Sequence, residues 1–138
     1  MTKYSEKKIK DLIIQFKNTP SVLPNETVYH SILQMNNTGI GIVCIIDKKK
    51  KLKGIITDGD LRRILMSLSE PLPSFLNNNI EKYMNKKPYV ISESMRLKKI
   101  IDIMGKRKIW DIPVVKKNKE LLGLCHLHNI LKVLVKDG

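Results

Sequence analysis

The chain has 138 residues, 26 Lys and Arg against 13 Asp and Glu, and a formal net charge of +13. That length suits one compact domain or two small repeats sharing a core, and a hydrophobic content of 42% excludes a disordered basic tail. No apolar run approaches the ~18 residues of a membrane span, and the polar start MTKYSEKKIK is no signal peptide, so a cytoplasmic protein is expected.

The excess charge is not by itself a function. Of the basic residues 22 are Lys and 4 are Arg, with 19 Ile, 10 Asn and no Ala. Such a profile reflects a compositional bias toward Lys, Ile and Asn. Nucleic-acid binders combine clustered cations with stacking aromatics, and aromatics are 5% here. Solvated Lys faces are therefore the first reading and a polyanion site the second. Cys44 and Cys125 sit inside apolar runs and read as buried thiols of a reducing compartment.

In chain order, residues 1–71 begin with a helical leader carrying Ile9, Leu12 and Ile13, followed by the extended segment Pro20-Ser21-Val22. Val28, Ile32 and Met35 then recur at helical spacing. Ile40–Ile46 is almost continuously apolar, the pattern of a strand covered on both faces. A Lys-rich turn, Lys48 to Lys51, leads to a second strand, Leu52–Thr57, and a helix from Asp58 carries Leu61, Ile64 and Leu65. Residues 72–79, with Pro73 just after Pro71 and three consecutive Asn, read as a linker.

Residues 80–138 repeat this order. Val28–Leu65 aligns without a gap on Leu97–Leu134: Ile32 falls on Ile101, Ile40 on Ile109, Gly54 on Gly123 and Leu61 on Ile130. The leaders correspond less regularly, with Ile9, Leu12 and Ile13 against Ile80, Tyr83 and Met84, and Pro20-Ser21-Val22 against Pro88-Tyr89-Val90. The expectation is an α+β fold of two β-α-β-β-α repeats packed sheet to sheet about a pseudo-two-fold axis, because a half of about 60 residues buries its sheet poorly alone.

The first repeat ends in Gly54-Ile55-Ile56-Thr57-Asp58-Gly59-Asp60-Leu61-Arg62-Arg63, a strand running into a helix start. Thr57 or Asp58 can cap the free amides. Thr57 and Asp60 at this spacing form either an ordinary capping box or a hydroxyl–carboxylate pair able to accept from ribose hydroxyls. The helix start with Arg62 or Arg63 would favour a phosphate.

This string within its repeat resembles a tandem pair of CBS domains, over nearly the whole chain. The resemblance implies one module with two clefts that bind adenine nucleotides or related ligands. It carries Thr57 and Asp60 onto the ribose element, and Val22, Leu23, Ile40, Gly41 and Ile42 onto the segments flanking the base. Asp11-Leu12-Ile13, Thr38-Gly39-Ile40-Gly41, Thr57-Asp58-Gly59-Asp60-Leu61-Arg62-Arg63 and His126-Leu127-His128-Asn129-Ile130-Leu131 are similar to the CBS region of arabinose-5-phosphate isomerases. That subtype implies a regulatory, non-catalytic role beside a sugar-phosphate or nucleotide-sugar enzyme, and makes a cytidine nucleotide or CMP-sugar an alternative ligand. The chain is either a stand-alone regulator or a piece of a larger enzyme, and a homodimer is implied.

The second repeat departs from the binding pattern: His126 stands in the place of Thr57 and Asn129 in that of Asp60. A second cleft of Ile109, Asp111, Ile112, His126 and Asn129 is thus expected to be weaker, or structural. Trp110 either stacks on a base or fills the interface between the halves. His126 and His128 lack the further ligands of a metal site, and neither Cys has a His-and-acid relay. No metal, no required cofactor and no catalytic residue are expected. The alternative function is a basic protein- or nucleic-acid-interaction module whose clefts stay empty.

Overall fold

A computed structural model describes residues 9–137; all but Ile9 and Lys10 of the polar start lies outside the described residues, as does Gly138. The strands are β1 (Ile14–Gln15), β2 (Ser21–Val22), β3 (Ile42–Ile46), β4 (Leu52–Thr57), β5 (Ile91–Ser92), β6 (Asp111–Val115) and β7 (Leu121–His126). The helices are α1 (Val28–Thr38), α2 (Asp58–Met66), α3 (Leu72–Asn77), α4 (Leu97–Arg107) and α5 (Leu127–Asp137). The fold is α+β, and each repeat follows the order β-α-β-β-α. Among the described residues no helix is long and apolar enough to cross a membrane.

The first sheet has the order β2-β3-β4, with β2 parallel to β3 and β3 antiparallel to β4. The burial of every residue of β3 explains its unbroken apolar run. Val22, Val28, Val43, Ile45, Ile56, Leu61, Phe75 and Ile80 form its core. The second sheet, β1-β7-β6-β5, repeats this pattern with one strand more. Its core holds Ile9, Ile91, Leu97, Ile100, Met104, Ile112, Val114, Cys125 and Ile130.

The first difference from the sequence expectation is where the leaders belong. The chain divides into residues 20–88 and a second unit joining the described residues up to 19 to those from 89 onward. The leader counted within residues 1–71 places β1 antiparallel to β7 of the second sheet, Ile14 opposite Leu124. Conversely, Asn85 of the second leader bridges Ile55 of β4, and Ile80 is buried in the first core. Pairing at a sheet edge leaves no trace in hydrophobic period, so the exchange does not show in the apolar pattern.

The repeated glycine records it, however. A Cβ on Gly54 would stand 2.7 Å from the carbonyl oxygen of Asn85, and one on Gly123 would overlap the carbonyl oxygen of Ile14. Both glycines make room for the backbone of the incoming leader.

A second difference concerns residues 72–79, expected as a linker. Leu72–Asn77 is a helix with a proline in its first turn, where a missing N–H costs nothing. Phe75 is wholly buried and packs edge-on against Tyr83, ring centroids 4.9 Å apart. The Tyr83 hydroxyl donates to Glu70 Oε1 at 2.8 Å and accepts from Asn78 Nδ2 at 2.9 Å. Burial pushes the Tyr83 phenol up, and the Tyr83 hydrogen bond holds the Glu70 carboxyl below its ordinary range. The third difference is one of register. Val22 pairs with Ile45 and Ile91 with Val114, so the structural counterpart of Val22 is Ile91 rather than Val90.

Candidate functional site

In the first repeat, Ile42 opens β3 opposite Thr57, the last residue of β4. The chain then turns into α2, and the Asp58 amide donates to the Gly41 carbonyl at 3.0 Å. A Cβ on Gly41 would meet the Asp58 carboxylate, with Oδ2 at 2.8 Å, so the glycine leaves room for the Asp58 side chain in its present rotamer. Thr57 Oγ1 accepts from the Asp60 amide at 3.0 Å, and Asp60 Oδ2 accepts from the Thr57 amide at 2.9 Å. This reciprocal pair is a capping box.

Asp60 has more to offer than the cap uses. Its second oxygen, Oδ1, accepts from Arg63 Nη2 at 2.7 Å, with the Asp60 side chain 31% exposed and Arg63 67%. A carboxylate oxygen carries two lone pairs, so Oδ1 retains an acceptor position toward solvent. Arg62, on the same turn, is exposed. The helix start itself is already compensated, because Asp58 and Asp60 both lie in its first turn. A phosphate here must be drawn by the arginine side chains rather than by the helix dipole.

The structure thus gathers Gly41, Ile42, Thr57, Asp60 and Arg63 at one end of the first sheet. Ile40 is half-buried just before β3, its amide donating to Thr38 Oγ1 at 3.2 Å. Val22 and Leu23 lie elsewhere. The parallel pairing sets Val22 level with Ile45, three residues or about 10 Å along β3 from Ile42. Val22 is buried in the core, and the Leu23 amide donates to Glu26 Oε2 at 2.5 Å. In that segment Pro20 lies nearer the start of β3. Parallel register would have pointed to it, but two-residue strands carry too little pattern to fix a register.

The second repeat keeps the backbone frame and changes its chemistry. Asp111 opens β6 opposite His126, the last residue of β7, and the Leu127 amide donates to the Trp110 carbonyl at 2.8 Å. Asp111 Oδ1 meets His126 Nδ1 at 2.5 Å, with side chains 17% and 23% exposed. An acid thus stands where the first repeat has apolar Ile42, and an imidazole where it has the Thr57 hydroxyl. Asn129 is half-buried on the first turn of α5, Ile109 half-buried and Ile112 fully buried. Trp110 is 54% exposed. The sequence pattern marked both His126 and Asp111, but their pairing follows only from strand register.

Cys125, next to His126, is buried, and burial followed by the negative charge of Asp111 pushes its thiol up to about 12. A thiol so held is no nucleophile near neutral pH. Among the described residues no group of three or more His, Cys, Asp or Glu side chains is placed to hold a metal ion.

Comparison with known proteins settles the family. The CBS domain model matches residues 9–67 and again residues 80–136. The chain belongs to the CBS domain family. Arabinose 5-phosphate isomerase GutQ of Escherichia coli O6:H1 is 30% identical over 122 residues, covering 88% of this chain and 36% of that protein. This CBS pair spans little more than a third of the length of the curated relatives it matches. Among solved structures, CBSX2 in complex with AMP superposes with a TM-score of 0.82 at 19% identity, covering 94% of this chain and 97% of that one. CbpB in complex with c-di-AMP gives 0.79 at 18% identity over 98% and 89%. At these identities the structural likeness speaks for the fold.

Proposed function

We propose that this CBS pair is a non-catalytic regulatory module that binds an adenine nucleotide at the β4–α2 junction of its first repeat. The observation that carries this reading is Asp60. Its carboxylate is oriented by the Thr57 amide and by Arg63 yet keeps an outward acceptor, which suits a ribose hydroxyl. Arg62 and Arg63 supply the countercharge for a phosphate. Ligands in the CBSX2 and CbpB structures, AMP and c-di-AMP, support an adenine nucleotide. The GutQ relationship supports a cytidine nucleotide or CMP-sugar as the next candidate, and a sugar-phosphate or nucleotide-sugar enzyme as the regulated partner. The module acts in the cytoplasm as a homodimer, and occupancy shifts the equilibrium between two arrangements by differential affinity.

A thermal-shift panel of AMP, ADP, ATP, CMP and a CMP-sugar tests the reading. A ligand at about 100 times its dissociation constant adds ~2.7 kcal/mol of stability. Asp60→Asn should abolish that shift while the variant stays folded by circular dichroism, and Asn129→Ala should leave it in place. If no nucleotide moves the melt at millimolar concentration, the module is not a nucleotide sensor.

A further inference from the structure

The charge is distributed unequally over the two repeats in a way that composition does not explain. Residues 96–108 read RLKKIIDIMGKRK and carry Arg96, Lys98, Lys99, Lys106, Arg107 and Lys108. The equivalent residues of repeat one, 27–39, read TVYHSILQMNNTG and carry no Lys or Arg at all. A compositional bias toward Lys acts on both segments alike. Two helices with the same place in the same repeat nonetheless differ by six cations.

Four of those cations line a groove. An open depression of ≈ 580 Å³ runs along α4, lined by Arg96, Lys98, Lys99 and Lys106, together with Tyr89, Ile103 and Asp102. The Arg107 guanidinium lies over the Tyr89 ring at 4.2 Å from its centroid, which fixes the ring and covers one face of it. From Arg96 to Lys106 the helix advances about 15 Å. Cations spread over such a length do not converge on one phosphate; they match a row of anions.

We propose that this groove docks an acidic, partly apolar segment of a partner protein. Three observations select this occupant. The Arg107 guanidinium covers one face of the Tyr89 ring, which leaves the groove without an aromatic open on both faces for base stacking. Ile103 and the Tyr89 edge offer apolar contact to a side chain such as leucine. A second copy of this chain is the wrong complement, since it carries +13 and 13 scattered acids. The surface lies wholly within the unit built on the second repeat and is independent of the nucleotide reading at α2.

The probe is a fluorescein-labelled peptide of glutamates with leucine at every fourth position, titrated with the full chain and followed by anisotropy. Lys99→Glu with Lys106→Glu should weaken binding about tenfold or more, with a shallower salt dependence. The control reversal Lys48→Glu with Lys49→Glu changes net charge equally on the exposed β3–β4 turn and should leave binding within about twofold. Amide shifts on peptide addition should cluster at residues 89–107. Equal weakening by both pairs means net charge alone, and overturns the proposal. So does absence of binding at low salt, tighter binding of a single-stranded oligonucleotide through the same lysines, or self-association that the Lys99/Lys106 pair abolishes.

Discussion

The strand–helix junctions of the two repeats share a backbone and divide over where the acid stands. In both, the first helical amide returns to the carbonyl before the apolar strand, at 3.0 Å from Asp58 to Gly41 and 2.8 Å from Leu127 to Trp110. In the first, the carboxylate of Asp60 sits on the helix, stabilises the cap and still faces solvent. In the second, the helix has Asn129, and the acid has moved across to β6 as Asp111, where His126 occupies it. A repeat can preserve its hydrogen-bonded frame while its acid changes place, so that a carboxylate held by an exposed arginine in one repeat is taken up by a largely buried histidine in the other. Nucleotide affinity should therefore reside in the first junction.

The frame shared by the repeats is most sharply broken at its glycines. Gly123→Ala drives a methyl into the Ile14 backbone carbonyl, and Gly54→Ala drives one to 2.7 Å from that of Asn85. Overpacking of this kind costs ~1–3 kcal/mol, occasionally more, and Gly123→Ala should lie at or above the top of that range. Gly54→Ala should cost about 2 kcal/mol because Met84, its other close neighbour, is flexible. Urea unfolding measures both. Wild-type stability in either variant would mean that the leaders do not add to the sheets they are assigned to.

The thiol beside the second junction has no ionisable counterpart in the first, where Ile56 stands in place of Cys125. With the folded thiol held at about 12 against an ordinary value of 9.0, the sign of the linkage is fixed. Below about pH 9 both states keep the proton and stability is unaffected. Above it the unfolded chain ionises first, and stability falls until the folded thiol titrates too. Replacing Cys125 with Val should flatten the alkaline decline in unfolding free energy between pH 8 and 10.5, relative to wild type. Parallel declines in the two proteins would remove Cys125 from the account.

A smaller effect tests the cap. Thr57→Ala removes the acceptor for the Asp60 amide and should cost about 1 kcal/mol, read as a lower urea midpoint. It should also weaken nucleotide binding, because the Asp60 carboxylate is oriented through the same box. A stability loss with unchanged nucleotide affinity would confine Thr57 to the cap.

Most of the architecture was legible because the helices and the buried strands carry strong periods: the offset that lays Gly54 on Gly123 also lays β3 and β4 on β6 and β7. The elements that went unread are those whose information is not periodic. β1 and β2 are two residues long, so neither the exchange of leaders nor the register that separates Val22 from Gly41 could be inferred from pattern. In α3 a proline that reads as a break sits at a helix start, and the burial of Phe75 outweighs three polar neighbours. For the site, Thr57 and Asp60 were marked by local spacing, which is how a capping box is encoded. The Asp111–His126 pair joins residues 15 apart and depends on cross-strand register.

The smallest difference between the repeats is also the most easily erased. The residue after the first helix is Gly39, left-handed at φ +70°, and the residue after its counterpart α4 is Lys108, left-handed at φ +55°. A side chain in that conformation costs ~1–2 kcal/mol through its Cβ, while glycine forfeits ~0.5–1 kcal/mol of backbone entropy on folding. Lys108→Gly should therefore stabilise the chain by ~0.5–1 kcal/mol, raising Tm by about 3 °C for a chain of this size. Gly39→Lys should lower it comparably. No heavy atom lies within 4 Å of where the Gly39 Cβ would stand, so that loss isolates backbone conformation from crowding. If Lys108→Gly lowers Tm instead, the lysine side chain makes a contribution that outweighs its strained backbone. The two helix ends would then differ by selection for that contact rather than by tolerance.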